Sequence, residues 1–137
     1  MDDVIFRSAN RLSSLAFLHR EPDDRSQELR YFTVRLCDTN LAATARVYGY
    51  MRSGLPNAFD RIAAEWQSLT GPLEWSSLEC EFCVAITHDG LGHFTLRNSL
   101  SQSRHDDGWE VTNHVVVETS QLDRLATDLR AFIGRCS

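Results

Sequence analysis

The sequence predicts an α+β fold, a two-layer sandwich in which an antiparallel sheet of about seven strands carries two amphipathic helices on one face. Several short stretches alternate apolar with polar residues, as strands with one buried face do. Two other stretches place apolar residues at helical spacing. Because the helices separate two runs of strands instead of alternating with single strands, the expected order is ββββ-α-βββ-α, within one domain over residues 1–137.

Four strands are expected before the first helix. Residues 4–9 and 12–19 form a candidate hairpin, and a polar loop is expected over residues 21–26. Residues 29–37 carry the strongest strand signal, since they are rich in β-branched and aromatic side chains. Residues 41–51 are expected to pair antiparallel with them.

Both helices are predicted from an apolar stripe and from residues typical of helix ends. The first is expected to begin near Pro56, which suits the first helical turn, and to end at Gly71. The second is expected to begin at Ser120, because Asp123 three residues later completes a capping signal.

A long hairpin is expected between the two helices. Alternating residues predict one strand over residues 78–87, and the Asp89-Gly90 pair is typical of a tight reversal. The return strand covers residues 94–100, and a last strand is expected over residues 109–118. These three strands complete the predicted sheet.

Charge and hydropathy exclude several kinds of partner. The chain has 14 basic and 19 acidic residues and a net charge of −5, whereas a nucleic-acid binder needs a basic surface. An acidic protein instead suits a basic protein partner. No apolar run approaches the roughly 20 residues of a membrane span, and the first residues lack the features of a signal peptide. We therefore predict a cytoplasmic protein that binds neither nucleic acid nor membrane.

The sheet face without helices is expected to carry aromatic, arginine and acidic side chains. Tyrosine, tryptophan and arginine are the residues most often found at the energetic centres of protein interfaces. We therefore predict that this face binds a partner protein. The predicted contact residues are Arg35, Arg46, Tyr48, Glu79, Glu81 and Arg97.

Histidines and carboxylates near the Asp-Gly turn support a different interpretation. His88, Asp89 and His93 are close in sequence, and His105 lies in the next connection. Imidazole and carboxylate groups bind transition metals, and imidazole titrates near neutrality. Asp-Gly turn chemistry explains the same residues without any ligand. We predict no metal and no cofactor, and keep a metal site as the alternative.

Two of the four cysteines, Cys80 and Cys83, have the spacing of a metal-binding or redox pair. Residues three apart on a strand point to opposite faces, so both sulfur atoms cannot reach one ion. The sequence therefore predicts free thiols.

Several segments resemble a bacterial family of small uncharacterised proteins over roughly residues 29–133. They are residues 31–36 (YFTVRL), 45–48 (ARVY), 74–79 (EWSSLE), 87–93 (THDGLGH) and Gln121-Leu122 with Leu125. The resemblance implies no activity and assigns no residue a role. The order of elements and the acidic composition are also similar to those of Wap-type immunity proteins, which bind and neutralise a cognate toxin domain.

Three hypotheses about function follow. The leading one is a non-enzymatic protein-binding domain, an immunity-type antitoxin that covers a cognate bacterial toxin. The first alternative is a small metal-dependent enzyme or metal-binding protein that uses His88, Asp89, His93 and His105. The second alternative is a homo-oligomeric structural module, a possible homodimer that associates through its sheet face.

Overall fold

The structure is a computed structural model that describes residues 3–25, 29–49, 55–77, 79–102 and 108–133. Eight strands and two helices lie in these residues. The first half contains β1 (Val4–Arg7), β2 (Ser14–Pro22), β3 (Leu29–Asp38), β4 (Leu41–Tyr48) and α1 (Leu55–Glu65). The second half contains β5 (Leu73–Ser76), β6 (Phe82–His88), β7 (His93–Ser101), β8 (Glu110–Glu118) and α2 (Thr119–Ile133).

The strands form two separate antiparallel sheets, so the prediction of one sheet of about seven strands is wrong. The N-terminal sheet has the order β1-β2-β3-β4 and the C-terminal sheet the order β5-β6-β7-β8. Each sheet is followed by one helix, which makes the order ββββα twice. The α+β class and the antiparallel pairing are confirmed. The two helices do not share one face of a single sheet.

The additional strand, β5, explains part of the difference. Leu73–Ser76 pairs antiparallel with residues 83–86 of a shorter β6, and the chain reverses between them. Cys80 takes a left-handed φ of 63° in that reversal and is exposed, so it does not continue the strand. The alternation from Phe82 to Ile86 is confirmed, because Phe82, Val84 and Ile86 are all buried. Leu78 lies outside the described residues.

The core lies where the inner faces of the two sheets meet the helices. All seven phenylalanines are fully buried there. The ring of Phe17 in β2 lies 5.8 Å from that of Phe6 in β1 and 5.9 Å from that of Phe82 in β6. It also lies 6.2 Å from the ring of Phe132 in α2. Phe17 therefore joins both sheets and one helix through aromatic contacts, which add to the free energy of apolar burial.

Two buried asparagines fix the C-terminal sheet against the N-terminal sheet. Asn98 of β7 and Asn113 of β8 are cross-strand neighbours, and the Asn98 amide donates to Asn113 Oδ1 at 3.1 Å. The Asn113 amide donates to the carbonyl oxygens of Ser14 and Cys37, each at 3.0 Å. Because Ser14 and Cys37 face each other in the N-terminal sheet, these bonds define where one sheet lies on the other.

The helix α2 begins one residue earlier than the capping signal predicts. Its first residue is Thr119, and the side chain of Gln121 accepts a hydrogen bond from the Glu118 N–H at 3.0 Å. The Thr119 hydroxyl donates to the Gly92 carbonyl at 2.9 Å, which ties the start of the helix to the β6–β7 turn. The predicted Ser120 cap is therefore wrong. Among the described residues, no helix is long and apolar enough to cross a membrane.

Candidate partner-binding surface

A bulge in β2 shapes the exposed face of the N-terminal sheet. The pairing of β2 with β3 shifts by one residue between Leu18 and Glu21, and His19 takes a left-handed φ of 52°. The extra residue places Glu21 opposite Tyr31. β2 thus extends to Pro22, through the first part of the segment that the sequence predicts to be a polar loop.

The bulge also turns Arg20 away from this face. Its Nε donates to the carbonyl oxygen of Phe132, near the C-terminus of α2, where a cation is favourable. Without the bulge, regular pairing would place Arg20 opposite Tyr31, on the side where Arg46 lies. Because of the left-handed residue His19, the position opposite Tyr31 is occupied by the carboxylate of Glu21 instead of the cation of Arg20.

Arg46 of β4 connects the side chains of this region. Its Nε and Nη2 donate to the two carboxylate oxygens of Glu21 at 3.0 and 2.7 Å. Its guanidinium lies 3.7 Å from the ring centroid of Tyr31, within cation–π range. Tyr31 and Tyr48 face each other across the strands, with ring centroids 5.4 Å apart. We call Glu21, Tyr31, Arg46 and Tyr48 the Tyr31 cluster.

The ion pair in the Tyr31 cluster changes the titration of both of its members. The hydrogen bond from Arg46 lowers the pKa of Glu21, and the same bond raises the pKa of Arg46. Both side chains are about half exposed, at 58% and 41%, so water screens the pair and its contribution to stability is small. Its main effect is to hold the guanidinium over the tyrosine ring.

The backbone of Tyr48 and the side chain of Glu81 join the two sheets beside this cluster. Glu81 Oε2 accepts the Tyr48 N–H at 3.1 Å, and Oε1 accepts the Ser77 hydroxyl at 2.6 Å. Glu81 lies in the connection from β5 to β6, so its carboxylate links that connection to the end of β4. Three of the six predicted contact residues, Arg46, Tyr48 and Glu81, therefore lie in or beside the Tyr31 cluster, and Glu81 acts there as a structural link.

The remaining predicted contact residues lie apart. Arg35 is exposed on the same outer face as the Tyr31 cluster, and Glu79 is exposed in the β5–β6 connection. Arg97 is exposed on the outer face of the C-terminal sheet. Since the inner faces of the two sheets meet in the core, Arg97 belongs to a different surface from Arg46. The expectation of a single open face with all six residues is wrong for this reason.

Arg97 borders a shallow depression of about 260 Å³ on the C-terminal sheet. Small side chains such as Ala85 and Ser99 form its floor, and Glu74 lies on the other side of Ala85 from Arg97. Cys83 also lines it, and burial raises the pKa of this thiol, which reduces its thiolate fraction.

The histidines near the β6–β7 turn hold the turn in shape. The Gly90 N–H donates to His88 Nδ1 at 3.2 Å, and His88 Nε2 lies 3.1 Å from the Leu69 carbonyl oxygen. A carbonyl can only accept, so Nε2 carries the proton and both ring nitrogens are used. Asp89 accepts from the backbone N–H groups of Leu91 and His93, which lowers the pKa of its carboxyl.

The metal hypothesis gains no support from this arrangement. His93 Nδ1 lies 3.0 Å from Asp89 Oδ2, whereas both nitrogens of His88 are engaged elsewhere. In the described ranges no group of three or more histidine, cysteine, aspartate or glutamate side chains is placed to hold a metal ion. His105 lies outside those ranges. Cys37, Cys80 and Cys83 are free thiols, while Cys136 is also outside.

Sequence reasoning missed Glu21 as a member of the surface. Pro22 and the acidic residues after it are typical of a loop, and a bulge at a non-glycine residue has no clear sequence signal. Tyr31 needs no such signal, because strict alternation with the buried Phe32 and Val34 places it on the outer face. Because the position of Glu21 could not be predicted, the sequence also did not show that Arg46 is held in place.

These features define an α+β protein of two four-stranded antiparallel sheets, each followed by a helix, with an aromatic and arginine cluster on one outer face. The model of a family of unknown function, DUF6228, matches residues 6–135, and the chain belongs to this family. This confirms the resemblance to an uncharacterised family. The likeness in layout to Wap-type immunity proteins is not confirmed.

Comparison with other proteins adds no function. No curated protein matches the chain. The chain is similar to a solved structure of the plant transcriptional regulator PBF-2, with a TM-score of 0.47 and 8% sequence identity, over 96% of this chain and 81% of that chain. A likeness at this level carries no argument about partners or activity.

Proposed function

We propose that the protein is a non-enzymatic protein-binding domain and that its partner contacts the outer face of the N-terminal sheet at the Tyr31 cluster. The observation that carries the proposal is the arrangement of Arg46, which is paired with Glu21 and stacked on Tyr31. Tyrosine and arginine are enriched among the residues that dominate binding energy.

The cluster is suited to binding because its side chains are already ordered. A free arginine loses rotamer freedom when a partner fixes it, at a cost of about 0.5–1.5 kcal/mol for such a side chain. In the cluster the guanidinium of Arg46 is held by two contacts, with the Glu21 carboxylate and with the Tyr31 ring. The two half-buried tyrosine rings pack edge to face, which restricts the motion of both. Binding therefore requires little further ordering.

The particular form that we propose is an immunity-type antitoxin that covers a cognate bacterial toxin. The net charge of −5 supports a basic partner, since opposite charges accelerate association. Exposed Glu79 in the β5–β6 connection provides a negative charge close to Glu81, which joins that connection to the end of β4. A partner centred on the Tyr31 cluster would meet this acidic edge.

Affinity capture of the tagged protein from its native cells tests the proposal. We expect one stoichiometric partner on the wild-type bait, and its loss from an Arg46→Glu bait, which places a carboxylate beside Glu21. Arg97→Glu is the matched control, because it makes the same charge change on the other sheet and should retain the partner. A partner retained equally by both variants would contradict the proposed surface.

The antitoxin form needs a second readout. The captured partner is expressed alone and together with the wild-type protein in a host cell. We expect growth arrest in the first case and normal growth in the second. A captured partner that is harmless when expressed alone would refute the antitoxin hypothesis, whereas the broader proposal of a protein-binding domain would still stand.

A further inference from the structure

We infer that β4 is an interface strand through which two copies of the chain pair edge to edge, so that their N-terminal sheets join into one sheet of eight strands. The inference rests on the backbone of residues 42–46 and is independent of the proposed partner. Its occupant is a second copy of this chain.

The direction of the backbone groups along β4 is fixed by two hydrogen bonds. The Gly49 N–H donates to the Arg30 carbonyl of β3 at 2.9 Å, whereas the preceding Tyr48 N–H points away from β3 to Glu81. In an antiparallel ladder the N–H and C=O groups alternate sides with each residue. The backbone groups of Ala42, Thr44 and Arg46 therefore face away from β3. These three residues are exposed.

Nothing in the described part of the chain hydrogen-bonds to the outward backbone groups of Ala42, Thr44 and Arg46. The pairing of β3 with β4 is continuous from Asp38↔Leu41 to Tyr31↔Tyr48, without a bulge. β4 contains no proline. Edge strands are usually protected by proline, bulges, charges or short length. The one charge on this edge, Arg46, is paired with Glu21 and lies over a ring instead of projecting across the edge.

The other edges of the two sheets are less available. β1 and β5 have only four residues each. At β8, the Ala9 N–H donates to the Val116 carbonyl and the Val116 N–H donates to the Ser8 hydroxyl, so the two residues after β1 cover this edge at Val116. The rest of the β8 edge begins with the exposed charge of Glu110, whereas the regular edge of β4 from Ala42 to Arg46 carries only the paired Arg46.

Self-pairing of β4 has one favoured register. A two-fold axis at Thr44 places Thr44 opposite itself and Ala42 opposite Arg46 of the other copy. All three outward-facing residues then exchange backbone hydrogen bonds, two for each facing pair. An axis at Arg46 would bring two guanidinium groups together, which is unfavourable. An axis at Ala42 would require Asn40, whose φ of 58° lies in the turn, to join the ladder.

The same register pairs apolar residues on the inner face. Leu41, which is 37% exposed, comes opposite Val47 of the other copy, and Ala43 comes opposite Ala45. Directly paired strand residues point to the same side. The two Tyr31 clusters would therefore face the same way, and the dimer would offer two partner sites on one surface, which increases avidity for a paired partner.

Sedimentation velocity of the purified protein tests the inference. A short strand interface is below the roughly 1,200 Å² typical of stable complexes, so we expect the dimer fraction to rise between about 10 μM and about 1 mM. Thr44→Pro removes one edge N–H without touching the β3 ladder and should leave a monomer. Ser76→Pro is the matched control, because the Ser77 N–H donates to Phe82 and the Ser76 N–H therefore faces the free edge of β5.

Charged variants at the axis keep the test decisive if proline prevents folding. Thr44→Lys and Thr44→Glu each place like charges opposite each other, so each should be monomeric alone, and an equimolar mixture should dimerise. A wild-type protein that stays monomeric at about 1 mM would overturn the inference. So would a dimer that persists in all three Thr44 variants, or a folded Ser76→Pro variant that is equally monomeric.

Discussion

Replacing Asn113 by alanine tests the packing of the two sheets. The side chain is 2% exposed and takes part in three hydrogen bonds, two to carbonyl oxygens of the N-terminal sheet and one from Asn98. Each bond contributes about 1 kcal/mol net, and the Asn98 amide loses a buried acceptor. We expect Asn113→Ala to lower the free energy of unfolding by about 2–4 kcal/mol.

Urea unfolding followed by circular dichroism measures this change. For a slope of about 2 kcal/mol/M, the midpoint should fall by about 1–2 M with little change in slope. Thr112→Ala is the control, because Thr112 is the previous residue of β8 and its hydroxyl meets Ser99 at an exposed position. Thr112→Ala should change the free energy of unfolding by less than about 0.5 kcal/mol.

The double variant Asn98→Ala/Asn113→Ala tests whether the two side chains act as one hydrogen-bond network or stabilise the protein independently. Each single variant already removes the hydrogen bond between the two amides, so the double variant should cost less than the sum of the singles. An Asn113→Ala protein within about 0.5 kcal/mol of wild type, or strictly additive variants, would refute the account of how the sheets are held together.

Three further predictions concern single sites. Gly49→Ala should destabilise the protein by about 1–3 kcal/mol in urea, because the new Cβ would lie 2.9 Å from a buried ring carbon of Phe32, and an unchanged midpoint would contradict this. Glu81→Ala should cost about 1–2 kcal/mol by removing the carboxylate that joins the sheets, whereas exposed Glu79→Ala should be near neutral. Because the folded-state pKa of Asp89 lies below the ordinary 3.8, its ionised form stabilises the fold above pH 3.8 and this is lost as pH falls through the lowered pKa. The stability difference between wild type and Asp89→Asn should therefore shrink in acid, and a constant difference across pH would exclude this role.

Sequence patterns predicted the faces of individual elements well. Alternation over Phe32 and Val34 identified the buried side of β3, and helical spacing identified the buried stripe of α2 that includes Leu122 and Leu129. These patterns report local geometry, because side-chain direction repeats every two residues in a strand and every 3.6 in a helix. Arg46 and Tyr48 were correctly assigned to one surface for the same reason.

Those patterns could not predict that the strands divide into two sheets. One half-buried strand has the same alternation whether its apolar face meets a helix or a second sheet. Asn113 interrupts the apolar face of β8, and only its bonds to Ser14 and Cys37 show that the ends of β2 and β3 lie opposite. The left-handed residues His19 and Cys80 define a bulge and a reversal, and neither is a glycine. Position-specific backbone geometry of this kind depends on tertiary contacts.

The proposed binding of a partner protein at the Tyr31 cluster is tested most directly by the affinity of a captured partner for surface variants. We expect Tyr31→Ala to weaken binding by about 30-fold or more, equivalent to at least about 2 kcal/mol, because the ring supports Arg46 at the centre of the surface. Ser99→Ala, on the outer face of the C-terminal sheet, should bind like wild type. Equal affinities for wild type and Tyr31→Ala would contradict the claim.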